Sequence, residues 1–219
     1  MSLKKATLLI IMILLIDQVS KFYIKTHFAL HDKTVVFSWF QIVFVENEGM
    51  AWGTKMSDFI SFISDRTAKL ILTVFRLVAV CFISYWLVTS IKKKSATILI
   101  VSLALIFAGA LGNIIDSVFY GMFFNDSHGQ VATFLPQAGG YDTFFHGKVV
   151  DMLHFPMWSG FLPEWIPFVG GDYFTFFEPV FNVADMAIST GIGMLLVFNK
   201  KAFHQPKHSE QQEPQLENE

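Results

Sequence analysis

The chain has 219 residues, of which 53% are hydrophobic and only 16% charged, and its mean hydropathy is +0.48. That leaves too little polar surface to solvate an ordinary globular domain, so a bilayer is the implied solvent. Lys+Arg 16 against Asp+Glu 18 gives a formal net charge of −2, with no basic surface for nucleic acid. The single cysteine, Cys81, excludes a disulfide framework or a thiolate metal site within the chain and reads as a small buried hydrophobe.

Ala6 to about Ile24 is apolar enough for a first membrane span and follows the pair Lys4 and Lys5. Its start has the look of a signal peptide, but the apolar run continues past Asp17 to Lys21 without a small-x-small cleavage site, so a retained anchor is expected. Thr34 to Val45 alternates and is rich in Val, Ile, Phe and Trp, predicting short strands outside the membrane that end at Asn47, Glu48 and Gly49. Ser57 to Lys69 sets Phe59, Phe62 and Ile63 opposite Asp58, Asp65 and Arg66, the pattern of an interfacial helix or of a solvated helix end. Leu70 to Ile91 is the second span, ending at Lys92, Lys93 and Lys94, and Ala96 to about Tyr120 is the third. Glu178 to Phe198 is the fourth, leading through Lys200 and Lys201 into a polar tail, residues 204–219, expected to be disordered and cytoplasmic.

The reading is an all-α membrane protein: four transmembrane helices in one domain, residues 1–203, with a small outward-facing β-sheet cradle and an interfacial helix. The lysine clusters all fall on one side of such a bundle, which makes that side and both termini cytoplasmic and turns loops 27–68 and 121–177 outward. Trp158, Trp165 and Pro156, Pro163 and Pro167 in the second loop forbid a long helix and suit either an aromatic belt or a substrate lid. No internal repeat of the transporter kind is visible.

Carboxylates inside spans are costly and normally mark function. Asp17 has Lys21 one turn later on its own face, a spacing that permits an ion pair, structural or otherwise. Asp116 follows Gly109, Gly112 and Asn113, where glycines allow close helix approach; helix glue and a site residue are both open readings. Asp185 lies inside the fourth span after Asn182, with no basic residue nearby in sequence. Asp151 sits in the apolar stretch Val149–Leu153 returning toward the membrane, where a site acid and an exposed loop carboxylate are both open readings. If Asp151 folds against Asp185, both carboxylates cannot stay ionised and one proton is shared, which is the chemistry of an aspartic protease. The ionised member takes a proton from attacking water and the protonated member polarises the scissile carbonyl, with neither metal nor cofactor needed. Water then requires an outward-opening polar cleft, expected to be lined by Asn113, Asn182 and Asp116.

Separated blocks occur in a familiar order. They are Asp17-Gln18-Val19-Ser20-Lys21; Asn47-Glu48-Gly49-Met50-Ala51-Trp52; Gly109 with Gly112, Asn113 and Asp116; Val149-Val150-Asp151-Met152; and Phe181-Asn182-Val183-Ala184-Asp185. Together they resemble lipoprotein signal peptidase, the signal peptidase II family of bacterial membrane aspartic proteases. The resemblance implies a four-helix inner-membrane endopeptidase that removes the signal peptide of diacylglyceryl-modified prolipoproteins just before the lipidated cysteine. It implies Asp151 and Asp185 as the catalytic pair. Asp17, Lys21, Asn47, Gly49, Asn113, Asp116 and Asn182 would be supporting or substrate-positioning residues. Its partners would be prolipoproteins and membrane lipids, with a monomer as the default. Ser117 departs from the pattern, standing where many members carry an arginine after the Asp116 aspartate, so the positive charge would have to come from elsewhere or be absent. Loops around Asp151 are also longer than in compact members.

Other classes predict other features. A proton-coupled transporter would use Asp17, Asp116 and Asp185 as a relay. A metal-dependent hydrolase would use His128, His146 and His154, whose spacing fits no H-E-x-x-H helix. A scaffold protein would use the acids only as helix glue.

Overall fold

A computed structural model describes residues 1–48, 64–176 and 178–203. Helix α1 (Leu3–His27) starts at Ser2, whose side chain accepts the Lys5 N–H. Its buried face carries Ala6, Ile13, Asp17, Lys21, Ile24 and Lys25, while Leu8, Leu15, Ile16 and Val19 point outward. Polar inside and apolar outside is the reverse of a water-soluble helix, and it is the arrangement a bilayer demands.

Helix α2 (Asp65–Lys92) repeats this, with Phe75, Val78, Phe82 and Tyr85 exposed and Thr73, Val80 and Leu87 buried. Asp65 to Lys69, expected at the end of an interfacial helix, form the first turn of α2, and the rest of that expected helix lies outside the described residues. Cys81 is exposed on this helix rather than buried, which in a lipid-facing position costs a small apolar side chain nothing. Helix α3 (Thr97–Ile115) continues through a π-helical turn, Asp116–Tyr120, and one further turn, Gly121–Phe123. It is the centre of the bundle: Leu99, Ile100, Ser102, Leu103, Ala104, Ala108, Gly109, Gly112 and Ile114 are all buried, and it packs on each other long helix.

Among the described residues, three helices are long and apolar enough to cross a membrane: Leu3–His27, Asp65–Lys92 and Thr97–Phe123. The fourth apolar helix, α4 (Val183–Val197), has 15 residues, roughly 22 Å, and is followed by the short helix α5 (Asn199–Ala202). It starts later than hydropathy predicts because Val180 and Phe181 pair as a strand and Asn182 caps the helix.

That strand belongs to a sheet. β1 (Lys33–Phe37), β2 (Phe40–Asn47), β3 (Val149–His154) and β6 (Val180–Phe181) form an antiparallel sheet in the order β1-β2-β3-β6. The predicted strands of the first loop are therefore present, and the second loop supplies two more. β4 (Trp158–Phe161) and β5 (Tyr173–Phe176) make a separate hairpin with Phe161, Trp165 and Tyr173 exposed. In the main sheet Val45 stands opposite Asp151, and Leu153 opposite Phe181. Val150 and Met152 pack with Phe44, Tyr120 and Phe124 on one face of β3, and Val149 and Asp151 on the other face are buried too. This pairing brings Asp151 to the N-terminus of α4.

Gly109 and Gly112 make the contact of α3 with α4 possible. A Cβ at Gly109 would stand 2.2 Å from the Ala184 carbonyl oxygen, and one at Gly112 would stand 2.6 Å from Asp17 Oδ2. Gly109→Ala must push α4 away, and an expected loss of about 1–3 kcal/mol should appear as a lower unfolding temperature in detergent.

Candidate active site

Two buried carboxylates hold the backbone on which two others stand. Asp17 Oδ1 accepts the Ala184 N–H at 2.9 Å, satisfying one of the orphan donors at the start of α4. Asp116 Oδ2 accepts the Val150 N–H at 3.2 Å. Each thus binds the residue immediately before one member of the Asp151 and Asp185 pair. Lys21 lies between them, 2.9 Å from Asp17 Oδ2 and 2.9 Å from Asp116 Oδ2, and gives its remaining donor to Asn113 Oδ1 at 2.8 Å. Asp17, Lys21 and Asp116 are all fully buried, so these bonds are made without competing water.

Asn182 joins the other pair. Its Nδ2 donates to Asp151 Oδ1 at 2.6 Å and also faces Asn113 Oδ1 at 3.1 Å. Its Oδ1 accepts the Asp185 N–H at 2.9 Å, and Asp185 Oδ2 accepts the Asn182 N–H in return, a capping box that fixes the Asp185 rotamer. The other Asp185 oxygen, Oδ1, accepts from Asn113 Nδ2 at 2.8 Å. Asn47, at the end of β2, donates to Asp151 Oδ2 at 3.1 Å.

Asp17, Lys21, Asn47, Asn113, Asp116, Asp151, Asn182 and Asp185 therefore belong to one connected hydrogen-bonded network. Gly49 lies outside the described residues. Asp116 and Asn182, expected to line a polar cleft, are fully buried; Asn47, Asn113 and Asp185 are the partly exposed members.

Burial, and then the Asp185 charge, push the Asp151 carboxyl up to about 7, against the opposing pull of Asn47, Lys21 and Asn182. Raised above its ordinary value, this group favours folding most below pH 4, and that contribution is lost as pH rises through about 7. Asp151→Asn carries no such charge, so its thermal stability relative to wild type is expected to improve steadily between pH 4 and pH 8. Parallel pH-dependent unfolding curves for the two proteins check this.

The metal-site alternative finds no support in geometry. His128 is exposed beside Asp126, His146 bonds the Phe144 carbonyl, and His154 faces Gln41; among the described residues no three His, Cys, Asp or Glu are grouped to hold a metal ion.

The profile of the family described as signal peptidase (SPase) II matches residues 9–200. The chain belongs to the signal peptidase II family. It is therefore a membrane aspartic endopeptidase. A lipoprotein signal peptidase of Porphyromonas gingivalis is 48% identical to this signal peptidase over 195 residues, covering 89% of this chain and 82% of that one. The lipoprotein signal peptidase of Amoebophilus asiaticus is 33% identical over 87% of this chain and 75% of its own. A solved bacterial membrane enzyme shares the fold with a TM-score of 0.57 at 23% identity, over 91% of this chain and 94% of that one.

Two members of this signal peptidase's network carry information the blocks alone do not give. Gln18 Nε2 reaches Asp116 Oδ1 at 2.9 Å, Asp17 Oδ2 at 3.1 Å and the Gly112 carbonyl at 3.1 Å, tying α1 to α3. Arg76 of α2 faces Ser117 Oγ with Nη1 at 3.4 Å. An arginine in the middle of an apolar span is a signal as strong as an aspartate there, and it is legible without a structure.

Outside the bundle, Lys25 bonds Glu46 and Ser127, and Lys148 approaches Glu46 at 3.3 Å. The Lys25 ammonium also lies over the Tyr141 ring at 4.9 Å, so this cluster locks the end of α1 to β2 and to the segment between α3 and β3.

Proposed function

We propose that this peptidase removes the signal peptide from diacylglyceryl-modified prolipoproteins, cutting before the lipidated cysteine, with Asp151 and Asp185 as the catalytic pair. The observation that carries the assignment is Asn182, whose side chain bonds Asp151 while its backbone and side chain close the capping box on Asp185. Asn47, Asn113 and Asn182 orient the two carboxyl groups, and Asp17, Lys21 and Asp116 hold the strand and helix that carry them.

The pair shares one proton at rest. Water between the carboxyls loses a proton to the ionised member as it attacks the scissile carbonyl, and the protonated member donates to the carbonyl oxygen. As the C–N bond breaks, the carboxyl that took the proton from water passes it to the leaving amine, and the other carboxylate takes a proton back from a hydroxyl of the tetrahedral intermediate, restoring the one-proton pair. Asp151, buried and raised to about 7, is suited to hold the shared proton at neutral pH.

The lysine-rich ends set both termini in the cytoplasm and the pair toward the periplasmic face, with α4 and α5 together as the fourth span. This depth suits a substrate whose acyl chains stay in the membrane while its cleavage site lies near the outer headgroups. The exposed aromatics of β4 and β5 suit the headgroup layer, and a monomer suffices for the site.

Purified protein in detergent, given a diacylglyceryl-modified prolipoprotein, tests the reading by mass spectrometry of the products. Release of a signal peptide ending just before the modified cysteine is expected. Cleavage at another position, or none, contradicts it.

A further inference from the structure

We propose that Arg76, reaching from α2 to Ser117, is the positioning residue that supplies the positive charge missing at position 117 and holds the Asp151 and Asp185 pair in its one-proton state. The inference rests on the reading of that pair as the catalytic dyad.

The charges require a second cation. Asp17, Asp116, Asp151 and Asp185 form one network, and Lys21 spends all three of its donors on Asp17, Asp116 and Asn113. No Lys21 donor is left for the pair, which carries a negative charge whenever it holds a single proton. An uncompensated charge in a poorly solvated site is expensive.

Arg76 stands where it can answer that charge. Arg76 lies about one turn before Val80, which packs with Ile114 of α3 and Val118 of its π-helical turn. Nη1 approaches Ser117 Oγ at 3.4 Å, and Ser117 in turn donates to the Asn113 carbonyl at 2.9 Å. Asn113 holds Asp185. The small serine leaves room for an arginine arriving from the neighbouring helix, whereas an arginine at 117 would set two cations against each other. Arg76 and Ser117 are thus a matched pair that exchanges which helix carries the charge.

The groups facing the dyad are Lys21 and Asp17 from α1, Arg76 from α2 and Asp116 from α3. Of these, removal of Arg76 takes away a cation without breaking the Lys21 bridge, so the dyad must bind its protons more tightly. The test compares wild type, Arg76→Ala, Arg76→Lys and the double variant Arg76→Ala/Ser117→Arg, each as the full chain in detergent. It reads cleavage of a diacylglyceryl-modified prolipoprotein against pH, and the infrared carboxyl band against pH without substrate. Arg76→Ala is expected to lose about tenfold in kcat/KM, mostly in kcat, with both pH limbs and the carboxyl titration moved up by about one unit. Arg76→Lys keeps part of the activity, and the double variant recovers to within about threefold of wild type.

An Arg76→Ala protein that keeps wild-type kcat/KM and titration overturns the proposal. So does one that is less stable but titrates as wild type, or a double variant that folds without recovering activity. If wild type itself cuts nothing, the prolipoprotein reading fails, while the carboxyl titration still decides the influence of Arg76. Should Arg76→Ala not fold, Arg76→Lys and the double variant carry the same comparison.

Discussion

Asp185→Asn and Asp151→Asn are each expected to lower kcat for prolipoprotein cleavage by roughly 10⁴-fold, because residues acting as one unit lose nearly all their effect when either is removed. The double variant should be little worse than either single one. The substitution keeps the shape of the side chain but leaves a single carboxyl, which cannot both accept a proton from water and donate one to the carbonyl. KM should change little, since the half-exposed Asp185 and the buried Asp151 act on the scissile bond and not on the acyl chains. Stopped-time assays on folded, purified variants measure this. A variant that retains more than about a tenth of wild-type kcat would remove that residue from the chemistry.

Lys21→Met is expected to cost about 3–5 kcal/mol of stability, the largest effect of any single change in the support network. The ammonium is fully buried and bridges Asp17 and Asp116 at 2.9 Å each, so its loss leaves two carboxylates facing each other without a counter-charge. Those carboxylates hold the Ala184 and Val150 N–H groups, so the damage passes directly to the backbone beside Asp185 and Asp151. Thermal unfolding in detergent is the measurement. Combining Lys21→Met with Asp17→Asn should recover part of the loss, because one unpaired charge is removed with the cation.

Much of this architecture can be read from residues alone, where the physics is local. A run of apolar residues long enough for a bilayer is visible as such, and α1, α2 and α3 appear where hydropathy places them, with ends moved by a few residues. The alternation of Thr34 to Val45 likewise becomes β1 and β2. Local pattern fails where pairing is distant. Val180 and Phe181 look like the start of a helix, yet they pair with His154 and Leu153, and only that pairing delays α4 to Val183. Val149 to His154 has no alternation because β3 is buried on both sides, so it reads as an apolar stretch and not as a strand.

The site divides in the same way. Asp17, Asp116, Asp151 and Asp185 are conspicuous because acids are costly beside lipid. That Asp17 holds the Ala184 N–H and Asp116 holds the Val150 N–H depends on contacts across the fold, which no spacing reveals. Arg76 is different. Its charge stands in the middle of an apolar span, and a search for intramembrane acids alone passes over it.

The central claim is that Asp151 and Asp185 share one proton. Titration of the aspartate side-chain carboxyls by carbon-13 nuclear magnetic resonance, on wild type and Asp185→Asn, tests it most directly. Two coupled steps, one of them near pH 7, are expected in wild type, and in Asp185→Asn the Asp151 carboxyl should titrate lower once its charged neighbour is gone. Titration of the Asp151 carboxyl in a single step near its ordinary value, unchanged by Asp185→Asn, would contradict it.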